Sequence, residues 1–356
     1  MSSGVYIHIP FCQKKCYYCN FNSFDNIEHL KEKYINALIY EIKNSSMHDY
    51  DSVFIGGGTP TCVPIHLLLD VVRLVAKKGC EFTIEANPAT ISEKGLFLLR
   101  KAGVNRISLG LQSANDSELL SLGRLHTFDG FLNSFKNARR AGFDNINIDL
   151  MFGLPEQTID SLKHSLNAVA DLAPEHISCY CLSVEEGTPF YNMPLNLPDE
   201  ETARQMYLLC VEFFKKHGFN HYEISNFAKD GFECKHNLKY WERKQYYGFG
   251  AGAHSLLQNI RYKNSNNVCE YIDSNVAERT VLSQSEIKNE YIFLALRKTN
   301  GIELADYNAI FCEDFLKKYD AQILKYKDYC TVKDGRFYLN LNGLTVSNTI
   351  IADFLE

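Results

Sequence analysis

One local pattern recurs four times along this chain: a basic segment, then a glycine, then a run with high strand propensity. The copies are AKKGCEFTIEANP, RKAGVNRISLGLQ, RRAGFDNINIDLM and KKHGFNHYEISNF. Lysine or arginine is favoured in the last turn of a helix, where its charge complements the helix dipole. Helices often end at a residue with a left-handed backbone, usually glycine. In the four copies this residue is predicted to be Gly79, Gly103, Gly142 and Gly218. Each copy therefore predicts a helix followed by a strand.

Short runs rich in Ile, Val, Phe and Tyr predict six strands. They lie at 5–9, 52–55, 81–85, 106–109, 145–149 and 176–181. A helix-sized segment separates each run from the next, and this alternation is typical of β/α units with a parallel sheet. We predict an α/β fold in which residues 1–230 form a partial TIM-like barrel of six β/α units. A seventh strand is expected near 221–224.

The pattern changes after residue 230. Residues 231–282 are predicted to form a loop-rich connecting segment, and residues 283–356 a small helical domain with a winged-helix-like β-wing. A winged helix can bind DNA, but residues 283–356 contain nine Lys or Arg and eleven Asp or Glu. This balance lacks the basic footprint of a nucleic-acid surface, so a structural or docking role is preferred.

Composition narrows the classes of protein further. The net charge of −6 over 356 residues gives no general attraction to nucleic acid or to an anionic membrane. No apolar run has the length of a transmembrane helix, and no signal peptide fits before Cys12. We therefore expect a cytoplasmic protein whose twelve cysteines are reduced. Peripheral contact with a membrane is left open.

Three cysteines follow the first predicted strand with the spacing C-x3-C-x2-C: Cys12, Cys16 and Cys19. Structural zinc usually takes four ligands. Cys62 or His8 could supply a fourth, so zinc remains an alternative. A [4Fe–4S] cluster is normally held by four thiolates, and three would leave one iron open to an exchangeable ligand. The spacing favours the cluster.

Other polar or glycine-rich positions follow the next four predicted strands. The segment GGGTPT, residues 56–61, follows the second strand, and Glu85 ends the third. Gln112 follows the fourth strand and Asp149 ends the fifth. In a β/α barrel, functional residues gather at the carboxyl ends of the strands. These side chains and the cysteine loop are therefore predicted to share one site.

The C-x3-C-x2-C motif is the signature of the radical S-adenosylmethionine (SAM) superfamily. With it, GVYIHIPFCQKKCYYCNF, FIGGGTPT, IEANP, SLGLQS, GRLH and IDLMFGLP resemble the oxygen-independent coproporphyrinogen III oxidase family over nearly the whole chain. The resemblance implies a [4Fe–4S] cluster on the three cysteines and SAM beside it. The implied SAM contacts are Tyr6, Tyr18, Gly57, Gly58, Thr59 and Glu85. Gln112, Arg124 and Asp149 match positions where the true oxidases hold a second SAM.

Two departures from the true oxidases resemble the HemW branch of that family, whose members are haem chaperones. The oxidase motif continues to a fourth cysteine where this chain has Phe21, and the chain begins at its first predicted strand. The branch also carries an H-N-x-x-Y-W motif. It is matched here by His236, Asn237, Tyr240 and Trp241, of which His236, Tyr240 and Trp241 are the implied haem contacts. His254 is a second candidate.

Three hypotheses follow. The first is a haem chaperone that hands haem to an acceptor apoprotein and needs an electron donor for its cluster. The second is a radical SAM coproporphyrinogen III dehydrogenase, with no catalytic residue assigned. The third is a winged-helix DNA-binding protein stabilised by zinc or a cluster, which the charge balance disfavours.

Overall fold

The computed structural model describes residues 2–274 and 277–356. Six parallel strands lie side by side in chain order and form the predicted open barrel. They are β1 (Ser3–Ile9), β2 (Tyr50–Gly57), β3 (Glu81–Ala86), β4 (Arg106–Gln112), β5 (Ile146–Phe152) and β6 (His176–Cys181). All six runs predicted as strands are confirmed. The seventh, β7 (Asn220–Glu223), pairs antiparallel with β8 (Asn226–Ala228), which lies against β6.

Helices connect the six strands and cover the outside of the barrel. They are α1 (Lys31–Asn44), α2 (Ile65–Val75), α3 (Glu93–Lys101), α4 (Asp116–Ser121), α5 (Phe128–Arg140), α6 (Ile159–Asp171) and α7 (Glu200–Lys216). The predicted helix ends are confirmed at Gly103, Gly142 and Gly218, which follow the last turns of α3, α5 and α7 with φ between +81° and +114°. The prediction was wrong at Gly79, because α2 ends at Val75 and Gly79 lies in the turn that leads to β3. Strand β4 is buried at all seven positions, as expected for a parallel strand covered on both faces.

The segment predicted to be rich in loops contains regular structure. It comprises α8 (Lys235–Trp241), β9 (Tyr246–Phe249), β10 (His254–Leu257), β11 (Ile260–Lys263), α9 (Val268–Asp273) and β12 (Glu278–Val281). Strand β9 pairs in parallel with β1, and β10 to β12 continue the sheet antiparallel. The sequence did not predict strands β9 to β12, because each has only four residues and such short runs show little apolar periodicity. At Gly248 a Cβ atom would lie 1.9 Å from the carbonyl oxygen of His254, so this pairing requires glycine.

The C-terminal residues form a small domain with its own sheet. Its elements are α10 (Gln284–Ala295), β13 (Ile302–Glu303), α11 (Leu304–Phe311), α12 (Phe315–Lys318), α13 (Asp320–Lys325), β14 (Cys330–Lys333), β15 (Arg336–Leu339), α14 (Leu341–Thr345) and α15 (Ser347–Ala352). The three strands pair in the order β13-β15-β14. The aromatic rings of Phe315, Phe337 and Phe354 pack together in the core of this domain. This arrangement agrees with the predicted helical domain and β-wing.

Within the described residues, no helix is both long and apolar enough to span a membrane.

Candidate functional site

The three clustered cysteines lie on a loop that leaves the carboxyl end of β1. The loop is closed at its base, because Cys12 N–H donates to Phe24 O at 2.9 Å and Phe24 N–H donates to Pro10 O at 2.8 Å. Cys12 is buried, whereas Cys16 and Cys19 are partly exposed. The closed base therefore presents all three thiols from a short segment at the top of the barrel.

A cavity of about 440 Å³ opens beside this loop. Its walls include most of the side chains that the sequence predicted to share a site. These are Cys12, Cys16, Cys19, Tyr18, Gly57, Gly58, Thr59, Glu85, Gln112, Arg124 and Asp149. They come from the ends of five consecutive strands or the loops after them, so the expected convergence at one rim is found.

Tyr6 is absent from the walls of this cavity. Its hydroxyl lies 2.9 Å from Nδ1 of His8, and Nε2 of His8 lies 2.8 Å from the carbonyl oxygen of Asn22. Tyr6 therefore supports the cysteine loop through His8. Because both nitrogens of His8 are engaged, this histidine offers no free atom to a metal ion.

The glycines after β2 let its backbone approach the cysteine loop closely. A Cβ atom on Gly58 would lie 2.7 Å from Phe11 O and 3.1 Å from the Sγ atom of Cys12. Gly57 has φ of +111°, and a Cβ atom there would lie 2.5 Å from the His8 ring. Larger residues at these positions would push the loop away.

Two partly buried carboxyl groups lie below the loop. Burial, together with the neighbouring Asp149, raises the pKa of Glu85 to about 8, against the hydrogen bond that Gly57 N–H donates to Glu85 Oε2 at 3.0 Å. Burial also raises the pKa of Asp149, against hydrogen bonds from Asn147 and Ser108 that lower it. Both groups therefore bind protons more tightly than exposed carboxyls, and a cationic ligand would favour their ionised forms.

Arg124 brings a cation to the cysteine loop. Its Nη1 atom lies 3.4 Å from Sγ of Cys16, and Nη2 donates to Asn87 Oδ1 and to Gly110 O, each at 2.6 Å. The hydroxyl of Thr59 donates to Sγ of Cys12 at 3.7 Å. Burial raises the pKa of Cys12 to about 11, and the hydrogen bond from Thr59 opposes that rise.

The arrangement of ligands distinguishes a cluster from zinc. Among the described residues, no three His, Cys, Asp or Glu side chains converge as the ligands of one metal ion. A zinc site gathers its ligands around one ion, whereas the thiolates of a [4Fe–4S] cluster bind different irons. Three thiols spaced along one loop around a cavity therefore fit the cluster better.

Sequence reasoning missed Asn87 and Tyr180, which also line the cavity. Asn87 joins Arg124 to Thr59, because it accepts from the guanidinium and its Nδ2 donates to Thr59 Oγ1 at 2.7 Å. Tyr180 donates its hydroxyl to Oε1 of Gln112 at 2.9 Å, where the backbone of Gln112 is left-handed with φ of +73°. Asn87 could have been predicted from sequence, because it lies two residues after Glu85 at the same carboxyl end of β3.

The H-N-x-x-Y-W segment lies in α8, outside the walls of the cysteine cavity. His236 is 1% exposed. Its Nδ1 atom lies 3.1 Å from Ser52 Oγ and its Nε2 atom 2.9 Å from the Tyr240 hydroxyl. Burial lowers the pKa of His236 to about 3. In this conformation His236 has no free nitrogen for a haem iron. The other candidate, His254, is exposed at the start of β10.

A chain of buried hydrogen bonds connects the cysteine cavity to α8. Asn147 donates to Asp149 Oδ1 at 2.7 Å, and its Oδ1 lies 2.6 Å from Nδ1 of His176. The other nitrogen of His176 lies 2.7 Å from the Tyr222 hydroxyl, which accepts from Cys234 N–H at 3.3 Å. Cys234 immediately precedes α8. A hydrogen-bonded polar path therefore runs from the cysteine cavity to the start of α8.

Comparisons with known proteins agree with this geometry. Residues 6–169 match the Radical SAM superfamily. The "Heme chaperone HemW" of Bacillus subtilis is 39% identical, covering 99% of this chain and 99% of that protein. The protein of the same name from Lactococcus lactis is 35% identical over 99% of this chain and 97% of its own.

The similarity extends to a solved structure, that of coproporphyrinogen III oxidase (HemN) from Escherichia coli, described as a radical SAM enzyme. It superimposes with a TM-score of 0.86 and 22% identity, covering 99% of this chain and 90% of that one. At this identity the match establishes the fold, whereas the full-length sequence relatives establish the family. The chain belongs to the HemW family of the radical SAM superfamily.

Proposed function

We propose that this protein is a haem chaperone that binds haem and passes it to an acceptor apoprotein. The observation that carries the proposal is the similarity, over 99% of the chain, to relatives named heme chaperone. Phe21 supports it as well. This residue lines the cysteine cavity and is 61% exposed, at the position where the true oxidases have a fourth cysteine.

Radical SAM membership implies a [4Fe–4S] cluster and SAM. We assign the cluster to Cys12, Cys16 and Cys19, with Arg124 and Thr59 beside their sulfur atoms. When bound, the cluster supplies an electron to SAM, and the donor of that electron is a further partner in this proposal. The SAM contacts that we assign are Tyr18, Gly57, Gly58, Thr59, Glu85, Gln112, Arg124 and Asp149, with Tyr6 acting through His8.

We assign the H-N-x-x-Y-W segment a part in haem handling that does not require iron ligation by His236. Helix α8 lies below the barrel, with His236 stacked on Phe54 at 5.4 Å between ring centroids. Tyr240 packs edge-on against both His236 and Tyr246. These contacts support a role for His236 and Tyr240 in positioning α8. Trp241 is the last residue of that helix, and we assign it to the same segment.

A cytoplasmic site of action is part of the proposal. All twelve cysteines are free, which accords with a reducing compartment.

The second candidate is oxidation of coproporphyrinogen III, because the fold also matches HemN. One experiment separates the two functions. The protein is reconstituted anaerobically with iron and sulfide, then tested in parallel for saturable haem binding and for SAM-dependent turnover of coproporphyrinogen III. We expect saturable haem binding and no turnover. Formation of protoporphyrinogen IX at catalytic rates would overturn the chaperone assignment.

A further inference from the structure

A groove of about 350 Å³ adjoins the cysteine loop beside the cavity described above. We call it the outer groove. Its walls come from the cysteine loop, the segment that follows β2 and the loops that follow β3 and β4. Five residues line both the outer groove and the cysteine cavity: Lys14, Cys16, Thr59, Asn87 and Arg124. The outer groove therefore reaches one of the assigned cluster ligands, Cys16, without passing through the cavity.

The turn that follows α4 is fixed against the cysteine loop. Tyr17 N–H donates to Leu122 O at 3.1 Å. The ring of Tyr17 packs on Gly123, where a Cβ atom would lie only 3.1 Å from it. A protein that contacts this turn would therefore lie directly over the segment that carries the three thiols.

Two leucines flank this turn and are exposed. Leu120 is 75% exposed and Leu125 is 64% exposed, and Leu125 lines the outer groove. Single exposed leucines are common on protein surfaces, so their exposure does not by itself identify a partner. The charge of the groove is the second observation.

The lining of the outer groove is cationic. Its charged residues are Lys14 and Arg124, and no Asp or Glu of the described chain lines it. Lys14 is exposed, and its Nζ atom lies 5.1 Å from the centre of the Tyr17 ring. Burial and the nearby Arg124 lower the pKa of His126, which also lines the groove, to about 4. In a chain of net charge −6, this local excess of positive charge favours an acidic partner.

Carboxylates do occur at the margins of the groove. Asp116 accepts from Phe128 N–H at 2.7 Å, and Glu28 pairs with Lys31 at 3.1 Å. Asp129 lies in the first turn of α5. None of these three carboxylates lines the groove, so the lining itself stays cationic.

The proposed cluster needs an electron donor that leaves room for SAM. Most of the assigned SAM contacts line the cysteine cavity but not the outer groove: Tyr18, Gly57, Gly58, Glu85, Gln112 and Asp149. A donor at the outer groove would therefore approach Cys16 from a side that SAM leaves open. Interfaces of electron carriers are small, with less than about 1,200 Å² buried in total, and a short groove with an exposed lysine and leucine suits such an encounter.

We propose that the outer groove is the docking site of an acidic one-electron carrier protein, which contacts Lys14 and Leu125 and delivers its electron to the cluster at Cys16. One electron leaves the reduced carrier and enters the cluster, and no bond is made or broken. The inference rests on the proposed cluster and adds the surface and the class of its electron donor.

The test uses the full-length, anaerobically reconstituted protein with SAM, and fully reduced flavodoxin, an acidic flavoprotein, as the carrier. Stopped-flow absorbance measures the rate of cluster reduction, and calorimetry with oxidised flavodoxin measures binding. Dithionite is a small reductant that needs no docking site. Dividing each flavodoxin rate by the dithionite rate of the same sample removes differences in cluster content.

Lys14→Glu and Leu125→Asp should each lower this rate ratio about tenfold at low salt and weaken flavodoxin binding, because they set negative charge against an acidic surface. Lys14→Arg keeps the charge and should behave as the parent. The deficit of Lys14→Glu should shrink as ionic strength rises, since salt screens exposed charges.

Matched controls carry the same substitutions far from the groove. Lys101 is the exposed last residue of α3, and Leu324 in α13 is 69% exposed. Neither lines the outer groove. Lys101→Glu and Leu324→Asp should therefore bind flavodoxin and be reduced by it as the parent is.

The outcomes separate this surface from the proposed function. A parent protein that takes up no iron and sulfide would overturn the cluster assignment itself. A cluster that dithionite reduces in every variant, with the same flavodoxin rate and affinity in Lys14→Glu and Leu125→Asp as in the controls, would overturn the docking site alone. Slower haem delivery to an acceptor in those two variants, with flavodoxin binding unchanged, would assign the surface to the acceptor and would also overturn it.

Discussion

The carboxylate of Glu81 accepts the main-chain N–H of His236 at 3.0 Å. It also accepts from Lys235 N–H at 3.1 Å, so the first residue of β3 holds the first turn of α8. Both Glu81 and His236 are buried, and hydrogen bonds to a buried carboxylate are stronger than neutral ones. This contact fixes the H-N-x-x-Y-W helix against the base of the barrel.

Removing that carboxylate should destabilise the protein. We expect Glu81→Ala to lower the free energy of unfolding by about 2–4 kcal/mol, because the buried N–H of His236 and the partly buried N–H of Lys235 lose their acceptor. Glu81→Gln retains an acceptor oxygen and should cost less. Anaerobic urea denaturation measures both effects. Equal stability of the alanine variant and the parent would show that Glu81 does not hold α8.

His236→Ala should also act through structure. The change leaves Ser52 and Tyr240 without a partner and opens space beside Phe54, so we expect a loss of about 2–4 kcal/mol in unfolding free energy. Haem that still binds should keep the absorbance and EPR spectra of the parent complex. His254→Ala, at an exposed position, is the control. Loss of the saturable haem site in His236→Ala without any loss of stability would make His236 an iron ligand.

Alanine at Cys12, Cys16 and Cys19 together should abolish iron and sulfide binding after anaerobic reconstitution, because these thiolates are the assigned cluster ligands. Cys62→Ala is the matched control and should retain the iron of the parent. Metal and sulfide analysis provides the measurement. Full iron loading of the triple variant, or stoichiometric zinc without iron in the parent, would contradict the assignment.

Glu85→Ala should weaken SAM binding by about 1–3 kcal/mol, through loss of a buried polar contact. The readout is the change that SAM causes in the EPR spectrum of the reduced cluster, titrated with SAM. Glu85→Gln retains the shape and an acceptor without the charge, so it isolates the contribution of ionisation. A SAM response identical to that of the parent in both variants would exclude Glu85 from the site.

The stability of the protein should depend on pH through Glu223, a buried residue at the end of β7. Burial raises the pKa of this carboxyl to about 7, against opposing hydrogen bonds from Asn226 and Ser225. The folded protein therefore binds a proton that the unfolded chain releases near pH 4.5. The unfolding free energy of the protein should therefore fall as pH rises from about 4.5 to 7. Each unit by which the pKa of the folded state exceeds that of the unfolded state contributes about 1.4 kcal/mol to this fall. Glu223→Gln should flatten this part of the stability profile measured by urea denaturation; an unchanged slope would contradict it.

The rim of the cysteine cavity was predictable because the carboxyl ends of parallel strands meet at one edge. Glu85 and Asp149 could be assigned to that rim from strand positions alone. The base of the barrel could not be predicted in this way. Strand β9 pairs with β1 across more than 240 positions of sequence, and nothing local in either segment specifies that pairing.

The burial of His236 could not be predicted from the sequence either, because α8 has only seven residues and shows no clear apolar periodicity. Tertiary contacts between elements far apart in the chain, such as the contact of Ser52 with His236, create this environment, and single-segment patterns do not encode such contacts.

Transfer of haem is the most direct test of the central claim. The reconstituted protein is loaded with one equivalent of haem, freed of excess ligand, and mixed anaerobically with a haem-accepting apoprotein whose bound spectrum is distinct. We predict that the donor spectrum decays as the acceptor spectrum grows, faster than from an unrelated haem-binding carrier. Haem that stays on the protein, or reaches the acceptor no faster than from that carrier, would contradict the chaperone function.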